Sequence, residues 1–277
     1  MKRLIVLLST LLLPLLAGCA HNYYNIPQTT VTEKVRVLGI VPIILDEESD
    51  IAFLQREDLL PLLVSMNRSY ERNLVRLIKE TDTFYTVTLL DEDPKQLFSQ
   101  LFLRRERRDD ASVQYNKYFW KEEVLADLLK KHHLDAVMLV VVSGITKPDR
   151  VYSSNLLSYL NTDYNFLIMT AQILDGSGVL LWEYPNFRQH SASHKPLLNL
   201  QYPDFDEAKH NQSPKVIVKF KSLDGIRRAL EKRRLDWLRR ETPDADLYTT
   251  QFEEMAAKLE LDRENKPKQP AAAEQAK

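Results

Sequence analysis

Ala136-Val137-Met138-Leu139-Val140-Val141-Val142 carries no polar side chain, and four of its seven residues are valine. A half-buried strand alternates apolar and polar positions; this one is apolar on both faces. It therefore reads as a central strand with a layer of structure on either side. Just upstream, Trp120, Val124, Leu125, Leu128 and Leu129 recur at helical spacing and predict an amphipathic helix over 118–132. Downstream, 165–174 and 179–184 read as two further strands. Asp175-Gly176-Ser177-Gly178 between them reads as a hairpin turn, because glycine accepts the positive φ that tight hairpins need.

Working outward, Val35-Arg36-Val37-Leu38-Gly39-Ile40-Val41 is a strand stopped by Pro42. Asp46-Glu47-Glu48-Ser49-Asp50 reads as a solvated acidic loop. It lacks the spacing and central glycine of a calcium loop. Leu59, Leu63, Met66, Tyr70, Leu74 and Leu77 lie on one face of a helix over about 58–80, with Arg68, Arg72 and Arg76 on another. A strand at 84–90 and a short helix after Asp93-Pro94 follow. The dense charge run 104–110 reads as the exposed end of a helix or a loop. Residues 185–215 have little periodicity and read as a long loop. Ser222 opens a charged helix to about Arg240, with Ile226, Leu230 and Trp237 on its apolar side, and another helix spans 244–261. The fold class is α/β (α+β): a mixed β-sheet flanked by helices, with a helical C-terminal extension.

The amino end carries a different kind of signal. Lys2 and Arg3 precede an apolar run, Leu4 to Leu16, too short for a permanent membrane span. Leu16-Ala17-Gly18-Cys19 then resembles the lipobox of bacterial lipoproteins, and Cys19 is the chain's sole cysteine. The resemblance implies cleavage before Cys19, a diacylglycerol on its sulfur and an amide-linked third chain such as palmitate. Ala20, where an aspartate favours inner-membrane retention, implies the outer membrane, periplasmic face. The expected organisation is a signal peptide over 1–18, a lipidated tether over 19–33 and an α/β domain over 34–220 with a loop insertion near 185–215. A helical region over 221–262 and a disordered tail over 263–277 complete it. Without Lys2 and Arg3, 36 basic residues face 39 acidic ones. That balance does not suit a nucleic-acid-binding domain.

A second resemblance rests on Val37-Leu38-Gly39-Ile40-Val41-Pro42, on Leu129 to Val142 with its Leu134-Asp135-Ala136 turn, and on Ile173 to Trp182, where Asp175 opens a turn, Gly178 closes it and Trp182 follows. Over about 35–185 these are similar to the α/β domain of periplasmic lipoproteins related to CsgG, the TolB amino-terminal domain, and the Lpo and Pel lipoproteins. The resemblance implies a mixed sheet with helices, no enzyme activity, and action through protein contact, often as an oligomer.

Catalytic patterns are sparse. His190 and His194 are four apart, but Pro185 and Pro196 bracket them and no third ligand is evident, so no metal site is expected. His132 and His133 are adjacent and point apart. Gly176-Ser177-Gly178 belongs to a hairpin, not to a nucleophile elbow. No cofactor is expected. The basic helix offers Arg227, Arg228, Arg233 and Arg234 as candidate partner-binding residues. Local ion pairing is their ordinary role, with anionic headgroups or an acidic partner as alternatives. The sequence thus suggests a non-catalytic envelope accessory acting by docking or self-association. The alternative is a lipoprotein regulator of an envelope enzyme such as a peptidoglycan synthase, which a long tether would favour.

Overall fold

The computed structural model describes residues 23–109, 113–152, 159–186, 194–204 and 217–260. A mixed sheet forms its centre. Its strands are β1 (Val37–Ile40), β2 (Ile44–Leu45), β3 (Thr86–Leu89), β6 (Ala136–Tyr152), β7 (Tyr159–Asp175), β8 (Leu180–Tyr184) and β9 (Leu198–Asn199). The order is β3-β1-β6-β7-β8, with β2 beside β6 and β9 beside β7. β1 runs parallel to β3 and β6; β7 is antiparallel to both β6 and β8. The 136–142 run lies at the centre and is buried on both faces, as its composition requires.

One face packs against α2 (Arg56–Glu80), α5 (Leu223–Glu231) and α6 (Asp246–Leu259). Met138, Val140, Leu167 and Met169 point that way, toward Leu59, Leu63, Leu74, Phe252 and Met255. The other face packs Val137, Leu139 and Val141 against α3 (Pro94–Leu101), α4 (Glu122–His132) and a hairpin of β4 (Phe102–Arg108) and β5 (Tyr115–Trp120). The result is three layers with the sheet in the middle. The carboxyl-terminal helices complete one of those layers rather than extending beyond it: Tyr248 and Phe252 are fully buried, and the Tyr248 hydroxyl donates to Asn67 Oδ1 of α2 at 2.7 Å.

Side chains fix the junctions. Asp135 Oδ2 accepts the amides of Arg36 and Val37 at 2.9 and 2.8 Å, pinning the α4–β6 turn to β1. Asp175 Oδ1 accepts the amides of Ser177 and Val179, and Gly178 at φ 77° closes the turn against Glu122, as glycine can. α3 starts at Asp93, whose carboxylate accepts the Gln96 amide at 2.7 Å, with Pro94 in its first turn.

Several expectations change. The stretch expected as a tether joins the domain from Tyr23 onward. Tyr23 and Tyr24 are buried, Tyr24 bridges Trp182, the Asn25 amide donates to Leu181 O and the Glu183 amide to Tyr23 O, so this strip covers the outer edge of β8. The Tyr24 hydroxyl donates to Leu259 O at 2.6 Å, and α1 (Gln28–Lys34) follows. The charge run 104–108 is strand β4, not a helix end or loop. The helix expected from 118 starts at Glu122, and Trp120 lies in β5, its indole N–H donating to Gln172 Oε1 at 2.7 Å. β6 and β7 each run 17 residues, far past the expected ends, and pair with each other out to Tyr152 and Tyr159. Beyond Ile145 they form a two-stranded ribbon, where Pro148 is tolerated because among the described residues no strand pairs with that edge of β6. Within the expected loop 185–215, β9 and β10 (Gln201–Asp204) are strands, and β10 pairs with β11 (Ile217–Phe220).

The largest change is near the carboxyl end. The helix expected over 222–240 stops at Glu231. β12 (Arg233–Leu235) and β13 (Glu241–Ala245) then form a hairpin. Asp236 makes its turn: Oδ1 accepts the amides of Leu238 and Arg240 at 2.8 and 2.9 Å, and Arg239 adopts φ 59°. An aspartate that captures amides ahead of it competes with helix, and here it wins.

Candidate functional site

Cys19, the expected lipidation site, lies outside the described residues, as do His190 and the tail from 263. Of the four candidate arginines, Arg227 and Arg228 are exposed on α5. Arg233 and Arg234 are not on that helix but in β12, and Arg233 is exposed. Arg234 is held within the domain, pairing with Glu253 and Asp246 of α6 and donating to Thr250 Oγ1. The structure therefore does not unite the four on one helical face. Arg233 lies at the base of the β12–β13 hairpin, while Arg239 and Arg240 are at its tip, where Trp237 is 87% exposed, Leu235 53% and Leu238 50%. Periodicity placed Trp237 on a buried helix face. The missed signal was Asp236, whose turn-forming side chain precedes it.

The acidic loop is not simply solvated. Asp46 is buried and takes an ion pair from Arg105 and a hydrogen bond from the Tyr118 hydroxyl at 2.7 Å. Burial and the neighbouring Asp46 carboxylate push the Tyr118 hydroxyl well above its ordinary pKa. Glu47 pairs with Lys95 at 2.9 Å, and Asp50 Oδ2 accepts the Thr146 amide. The acidic loop and the basic strand β4, read separately in the sequence, are thus joined by the Asp46–Arg105 pair. Among the described residues, no three His, Cys, Asp or Glu side chains converge to hold a metal.

A cleft of roughly 400 Å³ opens between the β4–β5 hairpin and the sheet, lined mainly by Leu103, Trp120, Leu125, Leu174 and Leu180, with Glu122 at one side. Nearby, Lys117 pairs with the buried Glu183 at 2.9 Å. His132 is half-buried with Nε2 2.6 Å from Glu92 Oε1, and His133 ends α4 at φ 53° and is exposed. Lys131 and His132 together hold the Glu92 carboxyl below its usual range.

His194 is buried, with Nδ1 3.1 Å from the Tyr184 hydroxyl and no partner for Nε2 among the described residues. Burial and, secondarily, Lys147 push its pKa down to about 3. The folded protein then refuses a proton that the unfolded chain takes up below about pH 6.5. Stability should fall as pH drops from there toward 3, by up to about 1.4 kcal/mol per pH unit. Glu71 and Glu254, raised by burial, act with the opposite sign and offset part of the loss. Thermal midpoints between pH 7 and 5 should slope less in His194→Gln than in the parent; parallel slopes would refute this assignment.

No protein family model and no curated protein matches the chain. Among solved structures, it is similar to the PelC dodecamer from Paraburkholderia phytofirmans at 10% identity, covering 54% of this chain and 68% of that one with a TM-score of 0.24. It is similar to lipoprotein GNA1162 from Neisseria meningitidis at 12% identity, 53% and 78% coverage and TM-score 0.23. A putative neuraminyllactose-binding hemagglutinin homolog from Helicobacter pylori aligns at 8% identity, 83% and 88% coverage and TM-score 0.33. Likenesses this slight decide neither fold nor function; the chain's own residues must.

Proposed function

We propose that this chain is an outer-membrane lipoprotein anchored through Cys19 and facing the periplasm. In this reading it is a non-catalytic assembly or secretion accessory that works by contact with protein partners or copies of itself. The observation that carries this reading is the short link to the anchor. Tyr23 and Tyr24 are already core residues. The four steps from Cys19 to Tyr23 reach at most about 14 Å even when fully extended. A domain so tethered stays against its own membrane. A regulator that must reach an enzyme on the opposite membrane needs slack that this link does not provide. The projecting β6–β7 ribbon and the exposed hairpin tip supply surface for contact.

Replacing Cys19 with alanine should move the protein from the membrane fraction to the soluble periplasmic fraction, followed by immunoblotting of separated envelopes. Native mass spectrometry of the detergent-extracted, acylated protein should show a discrete oligomer. A monomer that crosslinks in cells to an envelope enzyme would replace this reading with the regulator. An unlabelled, unretained wild-type chain after growth with a radiolabelled fatty acid would remove the anchor.

A further inference from the structure

The β12–β13 hairpin puts three large apolar side chains, Leu235, Trp237 and Leu238, into solvent at one tip. Isolated exposed apolar residues are ordinary, but a cluster with an almost fully exposed tryptophan marks a contact surface. The tip is built, not frayed. Asp236 accepts two amides, its second oxygen accepts Arg240 Nε at 2.8 Å, and the amides of Asp236 and Arg239 donate to Arg240 O and Asp236 O at 2.9 Å each. Backbone groups satisfied within the turn can enter a poorly hydrated environment at little cost. The one acidic side chain in the turn is consumed by these bonds.

Charge decides what that environment is. Seven basic residues lie between 227 and 241, against Glu231, Asp236 and Glu241. Arg234 is matched by Glu253, and Arg240 by Asp236. Lys232 and Arg233 are exposed at the base of the hairpin, where Arg233 pairs with Ala245, and Arg239 is exposed in the turn beside Trp237. Tryptophan favours the boundary between headgroups and acyl chains, and lysine and arginine favour an anionic lipid surface.

Position fits as well. The last turn of α6 holds Tyr24 through Leu259, and the first turn meets the hairpin, the Asp246 amide donating to Lys232 O at 2.8 Å. A 14-residue helix spans about 21 Å. α6 therefore ties the end that leads to Cys19 and the base of the hairpin to one element about 21 Å long.

We propose that the hairpin tip is a second membrane contact, in which Trp237 and Leu238 enter the interface of an anionic bilayer while Lys232, Arg233 and Arg239 meet lipid phosphates. The inference rests on anchoring through Cys19. The second contact fixes the orientation of the domain, and so which surfaces it offers to partners.

The chain has three tryptophans, and Trp120 and Trp182 are buried, so Trp237 is a built-in reporter. The test reconstitutes the full acylated protein in phosphatidylcholine vesicles with a minor fraction of phosphatidylglycerol, with and without brominated acyl chains. The Trp237 signal is the difference between the parent and Trp237→Phe, whose remaining emission also reports an intact core. Bromine should quench most of that signal, and Arg233→Glu with Arg239→Glu should restore it. Trp237 emission indifferent to bromine in vesicle-bound protein overturns the proposal and leaves the anchor standing. Shielding of Trp237 that grows with protein density and ignores bromine overturns it in favour of contact with a second copy. Protein that does not stay on the vesicles overturns both the anchor and the contact that depends on it.

Discussion

Replacing Asp46 with alanine should cost about 3 kcal/mol of stability and lower the thermal midpoint by roughly 6–12 °C. Asp46 is almost fully enclosed, and its carboxylate is the shared acceptor of the Arg105 guanidinium and the Tyr118 hydroxyl. Removing it leaves a cation and a hydroxyl without their partner in a site that water enters poorly. Loss of one member of a buried pair is worse than loss of both. The double variant Asp46→Ala, Arg105→Met should therefore recover part of the loss, because methionine fills the space without a charge. Calorimetry or urea unfolding of the two single variants and the double variant tests this as a cycle. Additive losses would show that Asp46 and Arg105 do not act as a pair. Because the pair joins the loop after β2 to β4, Asp46→Ala should also expose the β4–β5 hairpin to limited proteolysis before the rest of the domain.

Gly144→Ala should be comparably damaging, about 3 kcal/mol, for a steric reason. A methyl group built on Gly144 would sit 2.2 Å from the Asp50 carbonyl oxygen and 2.4 Å from the Ile51 nitrogen. Those are backbone atoms of a segment already tied down: the Ser49 hydroxyl accepts the Gly144 amide at 2.8 Å, and Asn165 Nδ2 donates to Asp50 O at 2.7 Å. Neither strand nor loop can yield without losing these bonds. Gly39→Ala is the informative contrast. Its added methyl meets the end of the Leu134 side chain at 2.4 Å, which can rotate away, so the loss should be near 1 kcal/mol. Equal losses for the two variants would mean that backbone proximity is not what makes Gly144 intolerant.

The central strand was legible because burial on both faces leaves a composition with no alternative. Asp175 and Gly178 were legible because turn chemistry is local. The helix over 58–80 was legible from its period, and it is in fact Arg56–Glu80. Two of the failures share a cause: a partner distant in sequence overruled a local pattern. Arg104 to Arg108 looked solvated, yet Arg105 is claimed by Asp46 and the Arg104 guanidinium lies 4.1 Å over the Phe119 ring. Tyr23 and Tyr24 looked like linker because β8 and α6, which bury them, come much later in the chain. The ribbon beyond Ile145 was invisible because its two strands support each other and need no continuous apolar stripe. Trp237 is apolar at helical spacing, but the helix ends at Glu231 and the amides that Asp236 accepts put Trp237 in a hairpin turn. His194 was noted for its spacing to His190, whereas the structure gives it a buried place beside Tyr184.

The strip from Tyr23 to Asn25 that covers β8 has a consequence for how the molecule is assembled. Its docking site does not exist until β8 and the last turn of α6 are in place, and Tyr24 and Leu259 are 235 residues apart. Loop closure over such a separation is slow compared with the pairing of β6 and β7, which are neighbours in the chain. The earliest described residues are therefore among the last to settle. Until they do, β8 presents unpaired amides and carbonyls that can capture a strand from another molecule. Newly made protein, rather than the finished domain, is the form at risk of aggregating, and a holdase that shields extended chain would matter most in that interval.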